Sequence, residues 1–473
     1  MSSLTANRID GFKITFWAFI ILAQVLMMFT GLLFSYYSIL IFVILLVLFL
    51  MFIYPEFSYY LFVATFYFHL FSAVLIFAYT DSPPIFRLTM VPFDDATVAY
   101  IVSEMFIILT LVSWLFARMT KNRPAYAGTR LDIPLFFFYI WLILSLYWTA
   151  NFGSGLLKIY SLGCAMISFY LSAAIIRSKR ILNNVLWILV FVGMVNAGVV
   201  AYSLHGESYN RVLFRYENLQ VHLSFIQMAR ERGVGFNYSQ ATAMLLNFLI
   251  MIALGLLIAV KSKVQKIILA LGILFMAYAN LATLSKAGLC GLIAGLFFSI
   301  FAHKVLRNNL FKAIIIAAAV IVLAYVLVYF SWPWPEKADF FRGRASHSVR
   351  LRMWEVGFEA LFSTYGFGWG CGRFYIAHSL PFSFLFDLGI VGMFIWIWIV
   401  VVLFCQIGKC IRKCTDDYYK PVLIGYSASI ISIMVYGVFD NIYFDENLWA
   451  FLGIGMAITN LAGEKGVPFN NAT

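Results

Sequence analysis

Long apolar runs, separated by short charged or turn-forming breaks, follow one another along the whole chain. Each run approaches the ~20 residues that a helix needs to cross a bilayer. The pattern predicts about fourteen membrane-spanning helices, or twelve if the shortest runs fold back. The approximate bounds of the runs are 14–33, 36–53, 58–79, 97–116, 132–148, 157–176, 181–203, 240–260, 266–284, 287–302, 312–331, 382–407, 420–439 and 447–462. We therefore expect an all-α, polytopic transmembrane bundle that forms a single integral membrane domain over residues 1–473.

Composition excludes a soluble protein. Of the 473 residues, 63% are hydrophobic and only 11% are charged, which is more apolar surface than a soluble domain can bury. The first run, 14–33, is too long for a signal-peptide core and has no small-residue cleavage site, so we expect it to be retained as a span. The net charge of +12 fits the excess of basic residues in cytoplasmic loops of membrane proteins, and no nucleic-acid partner is expected. The six cysteines form no disulfide or zinc pattern.

Basic residues are concentrated in the short connections between runs. If the spans are as predicted, five basic clusters fall on one side of the membrane, which the positive-inside rule makes the cytoplasmic side, and both termini lie there. The clusters are Arg118, Lys121, Arg123 and Arg130; Arg177, Lys179 and Arg180; Lys261, Lys263 and Lys266; Lys304, Arg307 and Lys312; and Lys409, Arg412, Lys413 and Lys420.

Two long connections, 204–239 and 332–381, fall on the opposite, outer side. They carry ten basic residues, nine of them arginine: Arg211, Arg215, Arg230, Arg232, Lys337, Arg342, Arg344, Arg350, Arg352 and Arg373. Long loops can escape the positive-inside rule, so topology alone is one explanation. The other is an outward-facing anion site, because the guanidinium fork binds phosphate oxygens in pairs. A lipid phosphate or pyrophosphate is the simplest ligand of that kind.

The second long connection contains most of the candidate chemistry. Its first part predicts a short amphipathic helix with Arg350 and Arg352 off the apolar side. The residues expected on the apolar side are Val349, Met353, Trp354, Phe358, Leu361 and Phe362. Alternating glycines from Gly366 to Gly372 are expected to stop this helix and to leave bare backbone that another group could approach closely. His378 then heads the next apolar run. A histidine there is either a structural hydrogen-bonding group or a proton acceptor.

Ionisable residues within the runs are few and lie near their outer ends. They are Glu104, Lys158, Lys286 and Asp387. Because such residues mark function by default, they direct attention to the outer face rather than to a midplane pathway. No nucleophile elbow surrounds Ser379, and the acidic group Asp440, Asp445 and Glu446 is better explained as a solvated loop than as a metal site. The remaining chemistry, arginines with one histidine, suits group transfer from a lipid-linked pyrophosphate.

The histidine lies in a segment that resembles the signature of the O-antigen ligase and polymerase family of bacterial envelope glycosyltransferases. His378-Ser379 is followed by nine residues and then by Gly389-Ile390-Val391-Gly392, similar to that family's H-[N/S]-x9-G-x-x-G pattern. The preceding R-x-R-x-W, from Arg350 to Trp354, leads into G-F-G-W-G, as in the family's large periplasmic loop. Ser285-Lys286 resembles a serine–basic pair before that loop, and Gly235-Phe236-Asn237 resembles the opening of an earlier span. The resemblance covers roughly residues 200–400; many members carry Asn at the position of Ser379 and Arg at that of Lys286.

The resemblance implies an enzyme of the bacterial inner membrane with a periplasmic active site, in which 332–381 is the catalytic loop. It would transfer a glycan from undecaprenyl pyrophosphate, with inversion and without metal or cofactor. The acceptor would be lipid A core oligosaccharide in a ligase, or a second lipid-linked repeat in a polymerase. The ligase is favoured because the histidine signature fits the ligase form across its full spacing. A transporter of the same lipid is the alternative from another class, although no internal repeat is visible.

The chemistry of the outer loops, together with the resemblance, predicts roles for individual residues. His378 is the expected general base that deprotonates the acceptor hydroxyl. The expected donor pyrophosphate site consists of Arg350 and Arg352 with Arg211 or Arg215. Supporting roles are expected for Lys286, Trp354 and Tyr375.

Overall fold

A computed structural model describes residues 47–65, 95–121, 128–149, 151–205, 239–283, 285–302, 339–371, 377, 379–439 and 446–464. Within these ranges every regular element is helical and no strand occurs, which confirms the all-α expectation. In chain order the helices are α1 (Pro55–Thr65), α2 (Asp95–Lys121), α3 (Asp132–Leu144), α4 (Phe152–Ile175), α5 (Lys179–His205), α6 (Ser239–Ala259), α7 (Lys263–Ala282), α8 (Lys286–Ala302), α9 (Asp339–Ser363), α10 (Leu380–Lys413), α11 (Tyr419–Phe439) and α12 (Glu446–Glu464). A 3₁₀ turn, Ser145–Trp148, continues α3, and residues 47–53 are also helical.

Six of the described helices, α4, α5, α6, α7, α10 and α11, are long and apolar enough to cross a bilayer. Three shorter apolar helices are α3 with its 3₁₀ turn, α8 and α12. The chain is therefore a membrane protein, as its composition predicts. The predicted runs 14–33 and 312–331, with parts of 36–53 and 58–79, lie outside the described residues, so the total number of spans stays a prediction.

Most predicted bounds agree with the helices to within a few residues. The run 240–260 corresponds to α6 and the run 420–439 to α11. The run 382–407 is the exception: α10 is longer, and Gly389 interrupts it with φ 69° and ψ −169°. An uninterrupted span was the wrong expectation there.

The chain divides into two compact units. The first comprises Met1–Tyr59 and Ile108–Pro124. Polar groups join its helical segments: the hydroxyls of Ser58 and Thr110 share a 2.8 Å hydrogen bond, and the Ser113 hydroxyl donates to the carbonyl oxygen of Phe52 at 3.0 Å. Hydrogen bonds of this kind hold helices together where water is scarce.

The second unit comprises Tyr60–Ile107 and Ala125–Thr473 and holds the main core. Its central helix, α6, is buried along nearly its whole length by contacts with α5, α7, α8 and α11. Elsewhere in the unit, α4 packs on α12, while α3, α9, α11 and α12 all contact α10. The functional residues predicted from sequence that the structure describes all belong to this unit.

Helices α6 and α8 both run antiparallel to α11. Gly291 of α8 lies against the Ser432 carbonyl and Gly295 against the Ala428 carbonyl. Residue numbers therefore rise along α8 in the direction in which they fall along α11. Gly255, near the end of α6, lies correspondingly against Pro421, near the start of α11. Therefore α6 and α8 begin at the end of the unit where α11 finishes. Helix α10 precedes α11 through a short turn and begins at that end too; we call it the signature end.

Connections rich in lysine and arginine lie at the opposite end of the unit, which we call the basic end. A cleft of about 850 Å³ lies between the start of α5, the end of α6 and the start of α11. Its lining residues include Lys179, Arg180, Lys261, Asp416 and Asp417. Three of the five predicted basic clusters therefore share one end of the bundle. The side of the membrane that this end faces stays a prediction.

Candidate functional site

The histidine signature contains a broken helix. Helix α10 begins after its N-cap residue Ser379 with a proline in its first turn, a position where the missing N–H costs nothing. At Gly389 the backbone enters a region with positive φ that residues with a side chain rarely adopt. Helix α10 thus consists of a short half, 380–388, and a long half, 390–413.

A break in a helix frees backbone groups that must be satisfied elsewhere, above all in a membrane. In an unbroken helix, the carbonyls of residues 386–388 would accept from the amides of residues 390–392. Here Phe386 O accepts from Trp369 N at 2.8 Å, and Asp387 O from Gly370 N at 2.9 Å. Leu388 O accepts from Trp141 Nε1 at 2.8 Å. Each freed carbonyl therefore has a new partner.

The partners of the break come mainly from Gly366–Cys371, which we call the glycine loop. The amide of Ile390 donates to Gly366 O at 2.9 Å, so the loop both gives and receives hydrogen bonds. Gly366, Gly368 and Gly370 all have positive φ, and a Cβ on Gly368 would lie 2.7 Å from Gly389 N. The expectation that these glycines end α9 and permit close approach is confirmed. The group that approaches is the backbone of α10.

Aromatic and hydroxyl groups of α3 and its 3₁₀ turn hold the other side of the glycine loop. The ring of Phe367 stacks on Trp141, with centroids 6.3 Å apart, and meets Trp148 edge-on at 5.6 Å. The amide of Cys371 donates to Ser145 Oγ at 3.1 Å. The loop is thus fixed between two elements far apart in the sequence.

A buried ion pair lies directly beside the break. Lys158 Nζ of α4 is 3.5 Å from Asp387 Oδ2 of α10, and the two side chains are 11% and 2% exposed. In the described part of the chain, the second carboxylate oxygen, Oδ1, is buried without a hydrogen-bond partner. Cys371 lies close by, and burial raises the pKa of its thiol to about 12. The sequence marks both charges as intramembrane, but it gives no sign that they pair.

Helix α9 connects the arginine motif to the histidine signature. Trp354 Nε1 donates to the carbonyl oxygen of Ala377, the residue before His378, at 2.8 Å. The indole ring also meets Phe382 of α10 edge-on, with centroids 4.9 Å apart. The amphipathic pattern holds in part: Leu361 is buried, whereas Phe362, expected on the same apolar side, is 77% exposed.

The two arginines of α9 differ in their surroundings. Arg350 Nη1 donates to the carbonyl oxygen of Phe439, the last residue of α11, at 3.0 Å. Arg352 is exposed. Arg350 therefore makes a hydrogen bond at the signature end, whereas the side chain of Arg352 is exposed at the protein surface.

Lys286 is the first residue of α8, and its backbone lies at the signature end. Ser285 Oγ accepts from Gly288 N at 3.0 Å and so caps the helix. Beneath this turn, Asn247 Nδ2 donates to Gly288 O at 2.6 Å, and Asn280 Nδ2 donates to Asn247 Oδ1 at 2.8 Å. This buried network fixes the start of α8.

Four predicted site residues, His378, Tyr375, Arg211 and Arg215, lie outside the described residues. The chain neighbours of His378 are described: Ala377 and Ser379 are both buried. In the described part of the chain, no three His, Cys, Asp or Glu side chains are grouped closely enough to hold a metal ion. The cofactor-free reaction implied by the resemblance stays a prediction.

Neither the models of known protein families nor the sequences of characterised proteins match this chain.

Proposed function

We propose that the protein is an O-antigen ligase-type glycosyltransferase of the bacterial inner membrane. It moves a glycan from undecaprenyl pyrophosphate to lipid A core oligosaccharide at the periplasmic face. The signature end of the second unit is its active-site end. The basic end, with its cleft between α5, α6 and α11, faces the cytoplasm.

The hydrogen bond from Trp354 to Ala377 carries the proposal. It joins the R-x-R-x-W helix to the histidine signature, two motifs whose likeness to the family was drawn from sequence alone. The glycine of the signature at position 389 and the G-F-G-W-G segment likewise interlock, because each satisfies backbone groups of the other. The R-x-R-x-W helix, the glycine loop and the signature helix α10 therefore form one physical assembly. A chance resemblance would not require these segments to contact one another.

The proposed chemistry needs two functions at this end. Arginines neutralise the charge that develops on the pyrophosphate as it leaves, which lowers the barrier without a cofactor. His378 accepts the proton of the acceptor hydroxyl. The acceptor oxygen then forms a bond to the anomeric carbon while the bond from that carbon to the phosphate oxygen breaks. The electron pair of the broken bond leaves with the pyrophosphate, and the new bond forms on the opposite face of the sugar.

Purified protein in detergent, supplied with an undecaprenyl-pyrophosphate-linked oligosaccharide, tests the proposal. Lipid A core oligosaccharide is the acceptor in one reaction, and a second lipid-linked repeat is the acceptor in another. A ligase forms product only with the core acceptor, whereas a polymerase lengthens the lipid-linked glycan. No product with either acceptor would contradict both enzymatic assignments and favour a transporter of the same lipid.

A further inference from the structure

A buried charge pair is costly within a membrane protein. Removing two charges from water costs free energy that their attraction repays only in part, so such a pair is weak support for stability alone. Lys158 and Asp387 are nevertheless almost wholly buried and lie 3.5 Å apart. Intramembrane charges of this kind mark functional sites by default.

The position of the pair suggests its role. Asp387 is two residues before the break at Gly389, in the short half of α10. Its backbone oxygen accepts from Gly370 N of the glycine loop, and its carboxylate faces Lys158 of α4. One residue therefore links α4, the loop and the break.

The short half of α10 also leads back to the predicted base. Ser379 is its N-cap residue, and His378 immediately precedes it. On the far side, α9 holds Ala377 through Trp354. Any movement of residues 380–388 would therefore act on Ser379, the chain neighbour of His378.

An unbroken α10 is the arrangement that would compete with the observed one. If residue 389 became helical, Ile390 N could return to Phe386 O, and the glycine loop would lose its partners. Apolar packing alone distinguishes weakly between the two arrangements, because it has no direction. An ion pair with a fixed partner on α4 favours the broken one.

We infer that Lys158 and Asp387 are positioning residues for the proposed reaction: their ion pair holds the short half of α10 and the glycine loop in the arrangement that orients His378. The inference rests on the proposed function for its catalytic part. Its structural part is that the ion pair holds the glycine loop in place, and this can be tested without a transfer assay.

Cys371 provides the structural readout, because it ends the glycine loop and is 1% exposed. Two chains, one retaining only Cys371 and one only Cys414, are purified in detergent and treated with N-ethylmaleimide at pH 7. Cys414 is also buried, 4% exposed, but lies beyond the other end of α10, so it reports general unfolding. Labelling rates are measured by mass spectrometry for Lys158→Met, Asp387→Asn and the conservative Lys158→Arg.

We expect Lys158→Met and Asp387→Asn to speed labelling of Cys371 at least tenfold and to leave Cys414 protected. Lys158→Arg, which keeps the charge, should restore protection. Lys261→Met, a substitution of an exposed lysine at the basic end, is the matched control and should change neither rate. In the transfer assay, the first two variants should lose at least tenfold in kcat with an unchanged KM for the lipid-linked donor.

Three results would overturn the inference. Continued protection of Cys371 in both neutral variants would show that the pair does not hold the loop. Exposure of Cys371 and Cys414 together would show that the pair stabilises the bundle in general. Exposure of Cys371 alone with an unchanged kcat would remove the positioning role. If the unaltered protein transfers no glycan, the proposed function fails, and the labelling rates still decide whether the pair holds the loop.

Discussion

The indole of Trp354 and the carbonyl of Ala377 are joined by a 2.8 Å hydrogen bond, and Ala377 is wholly buried. Since a buried carbonyl without a donor costs free energy, this bond holds the chain immediately before His378. The helix that carries Arg350 and Arg352 is thereby coupled to the proposed base.

Replacing Trp354 by Phe tests this coupling. The substitution keeps an aromatic ring against Phe382 but removes the donor, and the unsatisfied carbonyl should cost about 1–3 kcal/mol. We expect a lower rate of glycan transfer. The melting temperature, measured in detergent, should fall only modestly. Trp398→Phe is the matched control, because Trp398 lies 42% exposed on the same helix as the signature. Equal activity of the two variants would show that the bond does not position the segment.

A second prediction concerns the break in α10. Alanine at position 389 would have to adopt φ 69° with ψ −169°, a backbone region that is almost restricted to glycine and costs on the order of 1–3 kcal/mol for a residue with a Cβ. Its Cβ would also lie 2.5 Å from the carbonyl carbon of Phe367. Gly389→Ala should therefore lower the melting temperature and abolish transfer. Gly408→Ala, in the long half of α10 where a Cβ meets open space, should be neutral or stabilising, and an equal loss from both variants would contradict the role of the break.

The bounds of α6 and α11 could be predicted because each is a continuous apolar run between polar breaks. The break in α10 could not, since Gly389 resembles any glycine within a membrane helix. Its conformation depends on hydrogen bonds from the glycine loop and from Trp141, which are distant in sequence. Local pattern carries no information about such partners.

In the candidate site, too, features set by local sequence could be predicted, and contacts between distant segments could not. The positions of Arg350, Trp354 and the glycine loop followed from motif and periodicity. The pairing of Lys158 with Asp387 depends on how α4 packs beside α10, and neither residue's neighbours indicate it. Intramembrane charges of opposite sign usually pair with one another, and this rule alone could have suggested the pairing of Lys158 with Asp387.

The two arginines of α9 should respond differently to substitution. Arg352 is exposed, so Arg352→Ala should weaken donor binding and turnover while stability is unchanged. Arg350 donates to Phe439, so Arg350→Ala should lower stability as well. Lysine at either position keeps the charge but loses the bidentate fork, and activity should fall less than with alanine. Turnover, donor affinity and melting temperature are measured for each variant. The same measurements are made on Arg211→Ala and Arg215→Ala. Near-normal turnover of all four alanine variants would show that the arginines are only interfacial anchors.

The orientation in the membrane can be measured directly. Single cysteines at Ser208 and Ala345, in a chain without its native thiols, should react with an impermeant maleimide once the outer membrane is permeabilised. A cysteine at Ser262, in the connection between α6 and α7, should react only after the inner membrane is lysed. The reverse result would invert the topology and remove the periplasmic site.

The central claim, a glycan transfer in which His378 is the base, is tested most directly by comparing His378→Ala with His347→Ala. A general base contributes typically ~10²–10⁴-fold. We expect His378→Ala to lose transfer by about that factor between pH 5.5 and 8.5, with donor affinity, measured separately, largely intact. His347→Ala, in the same connection but before the signature, should transfer normally. An unchanged rate for His378→Ala, or a loss explained wholly by weaker donor binding, would contradict the account.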